Sequence, residues 1–185
     1  MNEKSIVIYK SKYGSTKKYA QWIAESLTCP VKDIKDVSAK DLAQYDTIIY
    51  GGGLYAGGIS GFKKFLSLLD LKNLKNWESK ELVMFMVGTT NPRDTERYQE
   101  VANRNIPDEY KDKFKVFWFR GDQLFSKMNG LHKLMMRMPK AMAEKKTVEE
   151  RTEDDKIFIE NFGKDIIFSS REQIDPLVGY LMEQR

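Results

Sequence analysis

Apolar and polar positions along the chain switch repeatedly between a two-residue and a three-to-four-residue period, and the switches predict strands alternating with helices. Ser5-Ile-Val-Ile-Tyr9 is a short β-branched run. A Gly-containing polar loop follows it, and then Tyr19, Trp22, Ile23 and Leu27 recur at helical spacing. Val31 to Val37 predicts a second strand, after which Ser38-Ala-Lys-Asp41 has the form of a capping box opening a short helix. Asp46-Thr-Ile-Ile-Tyr50 predicts the third strand and runs into a Gly-rich loop over 51–58. Phe62, Phe65, Leu66 and Leu69 share one face of the next helix. Glu81 to Val87 is apolar on both faces, as a buried parallel strand is, and ends in Gly88-Thr89-Thr90-Asn91-Pro92. Asp94 to Asn103 reads as a polar helix stopped near Pro107, and Phe114-Lys-Val-Phe-Trp-Phe119 as the fifth strand.

Five strands alternating with helices predict a doubly wound parallel sheet, an α/β/α sandwich of three layers, because right-handed crossovers place helices on both faces. After the fifth strand, Leu124, Phe125, Met128, Leu131, Leu134, Met135, Met138 and Met142 recur at helical spacing. Thr147-Val-Glu-Glu150 predicts the cap of a final long helix whose Ile157, Phe158, Phe162, Ile166 and Ile167 face the sheet. Asp175-Pro176 opens a last short helix whose Leu177, Tyr180 and Leu181 pack locally or against another subunit. With 185 residues and no linker-like stretch, one domain spanning 1–185 is expected, carrying an amphipathic insertion at about 122–146.

Composition narrows the chemistry. Hydrophobic residues at 41% and charged residues at 31% are globular values. The apolar runs fall well short of the roughly 20 residues that cross a bilayer, and the N-terminus lacks a signal-peptide apolar region, so a cytoplasmic location is expected. Cys29 is the only cysteine and His132 the only histidine, which excludes an internal disulfide, a thiolate metal cluster and His-rich zinc chemistry. No metal is expected, and the chemistry has to come from an imported cofactor. The net charge of +4, without a zinc-finger, RRM or helix-turn-helix signature, gives no case for nucleic acid.

In a doubly wound sheet, ligands sit beyond the carboxyl ends of the strands. There, Ser11-Lys12-Tyr13-Gly14-Ser15-Thr16 crowds hydroxyls around a glycine at a helix N-terminus, where free N–H groups and the helix dipole favour an anion. Helix capping alone is the plainer alternative for Ser15 or Thr16. Neither a Rossmann nor a Walker glycine motif occurs, which argues against NAD and ATP in this loop. Ser11-x-x-Gly14-Ser15-Thr16 resembles the phosphate loop of flavodoxins, with Tyr13 standing where those proteins usually carry a small hydroxyl residue. The resemblance implies a sheet of order 2-1-3-4-5 and non-covalent FMN with its phosphate in 11–16. It also implies an isoalloxazine ring between Gly52, Gly53, Leu54 and Tyr55 on one side and Gly88, Thr89, Thr90 and Asn91 on the other, with Tyr55 as the stacking ring. A flexible turn is the alternative for the five glycines of 51–58.

Lys127, Lys133, Arg137, Lys140, Lys145 and Lys146 make the insertion basic as well as amphipathic, which suits a membrane surface, an anionic amphiphile or a partner groove. An ordinary helix covering the sheet is the alternative. Phe62-Lys-Lys-Phe65 and Leu134-Met-Met-Arg-Met138 resemble stretches of the flavodoxin-like, quinone-coupled protoporphyrinogen IX dehydrogenases of bacteria. That resemblance implies an FMN-dependent oxidoreductase that oxidises a protoporphyrinogen-like substrate, passes electrons to a quinone and touches the inner face of a membrane. The flavin itself is then the catalytic group, and Arg120, Lys127, Lys133 and Arg137 are candidates for the substrate's carboxylates. His132 is expected at the surface, with proton transfer as its alternative role. Two other readings stay open: an electron-transfer flavodoxin serving a small-molecule or protein donor and acceptor, and a scaffold that has lost FMN.

Overall fold

The computed structural model describes residues 4–55, 57–69 and 79–183; Ala56 of the Gly-rich stretch lies outside the described residues. Five parallel strands, β1 (Ser5–Lys10), β2 (Val31–Asp33), β3 (Thr47–Tyr55), β5 (Glu81–Gly88) and β6 (Phe114–Arg120), line up in the order β2-β1-β3-β5-β6. A two-residue strand, β4 (Gly58–Ile59), folds back antiparallel on β3. The expected order is therefore present, with the hairpin strand shifting the numbers of the last two strands.

Residue alternation explains the two-sided winding. Ile6, Ile8, Ile48, Tyr50, Leu82 and Met84 face one side, where α2 (Ala39–Leu42), α3 (Phe62–Leu69), α4 (Thr95–Asn105) and α5 (Asp108–Lys111) bring Leu42, Phe65, Leu69, Ala102 and Tyr110 against them. Val7, Ile49, Val83, Phe85 and Phe119 face the other side, against Tyr19, Ile23 and Leu27 of α1 (Ser15–Leu27). Burying both faces is why these strands read as continuous apolar runs.

Three expectations need correction. The third strand does not stop at Tyr50: the glycines continue it, with Gly51, Gly52 and Gly53 in register with Phe85, Met86 and Val87 of β5. A side chain at Gly51 would collide with Phe85, since a Cβ there would sit 2.0 Å from the ring's Cζ, so this glycine makes room for packing. The second strand ends at Asp33, because the Asp33 carboxylate accepts the Lys35 N–H and turns Ile34–Asp36 into a 3₁₀ turn. The long helix expected after Thr147 is absent: Thr147 donates its N–H to the Glu150 carboxylate around a turn.

A better box lies five residues on. The Thr152 hydroxyl accepts the Asp155 N–H, the Asp155 carboxylate accepts the Thr152 N–H, and α8 (Glu153–Glu160) starts there. None of its residues is buried, and Ile167 is exposed. The sheet face is covered instead by α9 (Asp175–Glu183), whose Leu177 and Leu181 lie in the core beside α1. The last helix thus packs within its own chain.

The insertion divides. Leu124 and Phe125 are buried, α6 (Gly130–Met135) and α7 (Arg137–Lys145) follow, and the axis breaks at Met136. Pro139 explains the break, because within one continuous helix its ring would meet the carbonyl of Met135. The helices do not cover the sheet: Leu131, Leu134, Met138 and Met142 are 65%, 57%, 70% and 63% exposed.

Candidate functional site

Gly14 ends the first loop with φ at 110°, a left-handed conformation suited to glycine, and serves as the N-cap of α1. Its N–H donates to the Ser11 Oγ at 3.1 Å. Ser15 and Thr16 are buried in the first helical turn, where amides lack intrahelical acceptors. The Ser15 Oγ accepts the Asp122 N–H at 3.0 Å, tying the start of α1 to the chain leaving β6.

The Asp122 carboxylate accepts the N–H groups of Phe168 and Ser169 and the Lys18 ammonium, at 3.0, 2.8 and 3.0 Å. Burial pushes its carboxyl up, but the Ser169 amide and Lys18 outweigh that and hold it below the usual carboxylate range. The loop floor is thereby fixed by groups from both ends of the chain.

Above this floor lies a cavity of about 240 Å³. Ser11, Tyr13, Ser15 and Thr16 come from the first loop, Gly53, Leu54 and Tyr55 from the end of β3, and Gly88 and Thr89 from the end of β5. A Cβ at Gly53 would lie 3.2 Å from the Thr16 Oγ1 and 3.1 Å from the Tyr55 ring, so the glycine sets how closely β3 approaches α1.

The other expected residues lie elsewhere. Gly52 faces Ile59 inside the β3–β4 hairpin. Lys12 and Gly14 line a neighbouring cleft, together with Lys127. The Thr90 carbonyl accepts the Tyr98 hydroxyl at 2.7 Å, and the Asn91 N–H donates to Asp154 at 2.9 Å; neither residue lines the cavity. The four candidate cations do not converge. Arg120 is 14% exposed, paired with Asp154 at 2.8 Å and lying 3.7 Å over the Phe168 ring. Lys133 and Arg137 are exposed on the insertion.

Sequence reasoning missed the cover. Gly121 and Asp122 close one end of the cavity, and Met128, His132, Met135 and Met136 lie across it. Asn129 caps α6 by accepting the His132 N–H at 2.9 Å, which places the imidazole over the loops. Lys12 donates to His132 Nε2 at 3.1 Å. An ammonium only donates, so the ring proton of a neutral His132 sits on Nδ1, against the Tyr13 hydroxyl. The imidazole also stacks on Tyr55, with centroids 6.4 Å apart and planes 24° apart. Burial, and then Tyr13, push the Tyr55 hydroxyl up to about 12, so it stays protonated at neutral pH. A lone His following a capping Asn in an amphipathic run was the available signal.

The cavity therefore combines an anion-seeking floor with aromatic and thioether walls. Such a site can hold a phosphate at one end and a flat conjugated ring at the other.

A family model described as a flavodoxin domain matches residues 6–150. No curated protein matches the chain. Similar solved structures include the metal-soaked Flv1 flavodiiron core from Synechocystis sp. PCC6803, at 16% identity and a TM-score of 0.46, covering 64% of this chain and 30% of that one. A flavodoxin from the domain Archaea has 17% identity and a TM-score of 0.40, covering 63% and 82%. Oxidised Flavodoxin 2 from Bacillus cereus has 19% identity and a TM-score of 0.41, covering 63% and 85%. The chain thus spans less than a third of the flavodiiron core and most of each flavodoxin.

Proposed function

The chain belongs to the flavodoxin domain family, and from that premise we propose that it is an FMN-binding oxidoreductase. The observation that carries the reading is the convergence of the α1 N-terminus and the ends of β1, β3, β5 and β6 on one cavity. The free amides of the first turn, with the hydroxyls of Ser11, Ser15 and Thr16, fit a phosphate monoester without a cationic partner. Tyr55, Leu54 and the Gly88–Thr89 backbone fit the faces and edge of the ring.

At about 240 Å³ the cavity is smaller than the roughly 300–1,000 Å³ of pockets that take drug-sized ligands. Seating the ring thus requires the cover to yield, and α6, with no buried residue, is the element that can. FMN, when bound, supplies hydride and electron transfer. Tyr55 and Leu54 would orient the ring, and Met135 and Met136 would exclude water, with His132 set against Tyr13 and Lys12 at the rim.

The finer reading is oxidation of a protoporphyrinogen-like substrate with electrons passed to a quinone, and peripheral contact with the inner face of a membrane. The exposed apolar row of α6 and α7, beside Lys133 and Arg137, supports an anionic amphiphile arriving at this side. One observation favours the second reading, an electron-transfer protein without its own substrate: Arg120 is committed to Asp154 and does not reach out for a carboxylate.

Titrating the purified chain with FMN tests the first step, and absence of binding would sink both readings. Turnover then separates them. Oxidation of protoporphyrinogen with menaquinone or ubiquinone analogues supports the oxidoreductase; electron acceptance from a flavodoxin reductase without that turnover supports the shuttle.

A further inference from the structure

The phosphate loop has a second neighbour. A cleft of about 1000 Å³ opens from Ser11, Tyr13 and Gly14 toward β2, whereas the cavity under α6 opens toward β3, β5 and β6. Since β2 and β3 flank β1 on opposite sides, the two spaces lie on opposite sides of the α1 N-terminus and meet at Ser11 and Tyr13.

The cleft is strongly basic. Lys12, Lys17, Lys32, Lys35 and Lys127 line it against only Asp33 and Asp36. Asp33 is further offset by Lys10 at 4.0 Å and by the Lys35 N–H that it accepts. The insertion supplies the far wall through Lys127 and Asn129. Tyr9, half-buried at the end of β1, presents an aromatic group to the space.

A phosphate monoester at the α1 N-terminus is satisfied by amides and hydroxyls, so it leaves these lysines unexplained. A redox substrate has no reason to bind here, because the cleft lies on the phosphate side and the ring would lie on the other. What does reach it is whatever is joined to that phosphate. We propose that the cleft seats the adenylate half of a flavin dinucleotide, so that the site takes FAD as well as its FMN unit. The lysines face the adenylate-side phosphate of the pyrophosphate, which carries one negative charge out of the first loop and into the cleft, and Tyr9 offers a face to the adenine. The volume lies at the upper end of ordinary ligand pockets and accommodates a nucleotide.

This proposal rests on the flavin reading and is separable from it. The full chain, stripped of flavin, is titrated with FMN and with FAD by flavin fluorescence, and the titrations are repeated with Lys35→Glu and with Lys32→Gln/Lys35→Glu. Lys35 is exposed, so the single variant carries no folding risk, and a melting curve checks the double. FAD should bind about tenfold tighter than FMN, equal to ~1.4 kcal/mol. The variants should erase that advantage and leave FMN binding within about threefold. FAD binding no tighter than FMN, or a loss shared equally by both flavins, overturns the dinucleotide proposal alone. Binding of neither flavin overturns the flavin reading itself.

Discussion

Tyr13 and His132, 119 positions apart in the chain, meet edge to face with ring centroids 5.8 Å apart and are joined through the Tyr13 hydroxyl and the imidazole Nδ1. Lys12 completes the group, donating to Nε2 and lying over the rings of both Tyr13 and Tyr55. Tyr13, in the loop before α1, therefore has a partner in the insertion. The cover and the loop are built for each other.

His132→Ala should loosen that cover. Since α6 buries no residue of its own, these contacts supply much of what holds it, and losing about 1 kcal/mol should speed amide exchange across 130–135 by roughly five- to tenfold. Global unfolding should lose about the same 1 kcal/mol, because it breaks the same contacts, while amides elsewhere that exchange through openings leaving α6 in place should be unchanged. Hydrogen exchange followed by mass spectrometry reads both, and unchanged exchange in α6 would show that the cover is held elsewhere.

Much of this was legible in the chain and some was not, for physical reasons. The parallel sheet could be read because strands buried on both faces must be apolar throughout, as Glu81 to Val87 shows, whereas its order followed only from the resemblance to flavodoxins. That Ser11, Ser15 and Thr16 gather at the α1 N-terminus could be read because a glycine and hydroxyls at fixed local spacing mark the start of that helix. The α8 start could not be fixed, because Thr147 and Thr152 both begin plausible boxes and only the packing beyond them decides. Nor could the ends of β3, since glycine carries no β-propensity and Gly51 reports a collision with Phe85 that only the fold reveals. Arg120 read as a free cation because its partner Asp154 is 34 residues away.

Asp122→Asn should destabilise the protein in a pH-dependent way. The carboxylate accepts three bonds, one from an ammonium, and its loss should cost about 2 kcal/mol at pH 7. Its folded pKa is depressed, so its contribution is complete above the unfolded value of about 3.9 and is lost as pH falls through the lower folded value. Urea midpoints of the two proteins should differ at pH 7 and draw together below about pH 4. An equal gap at pH 7 and pH 3 would assign the residue a role independent of its charge.

Gly51→Ala should be among the most damaging small substitutions in β3. The added Cβ falls 2.0, 2.4 and 2.6 Å from three atoms of the Phe85 ring, which is fully buried and cannot swing away. Overpacking of this kind costs about 1–3 kcal/mol or more. Phe85→Leu alone should also destabilise, but in the double variant the two costs should add to less than their sum, because the smaller side chain removes the collision. Denaturant unfolding of all four proteins gives the coupling, and strict additivity would mean that the strain is relieved elsewhere.

Leu134→Ser with Met138→Ser tests what the insertion is for. Both side chains are more than half exposed, so the pair should change stability by less than about 0.5 kcal/mol each, which a core role would not allow. Deleting the whole of 122–146 could not make this distinction, because Asp122, Gln123, Leu124 and Phe125 at its start are buried. If the exposed row meets a membrane or an anionic amphiphile, the partition coefficient onto vesicles containing anionic lipid, read by co-sedimentation, should fall by about two orders of magnitude, since two buried apolar side chains are worth ~3 kcal/mol or more. Raising salt should weaken the unsubstituted protein's binding too, because the surrounding lysines and arginine act through screened charge. Unchanged sedimentation in the double variant, with salt dependence intact, would assign the contact to the basic residues alone.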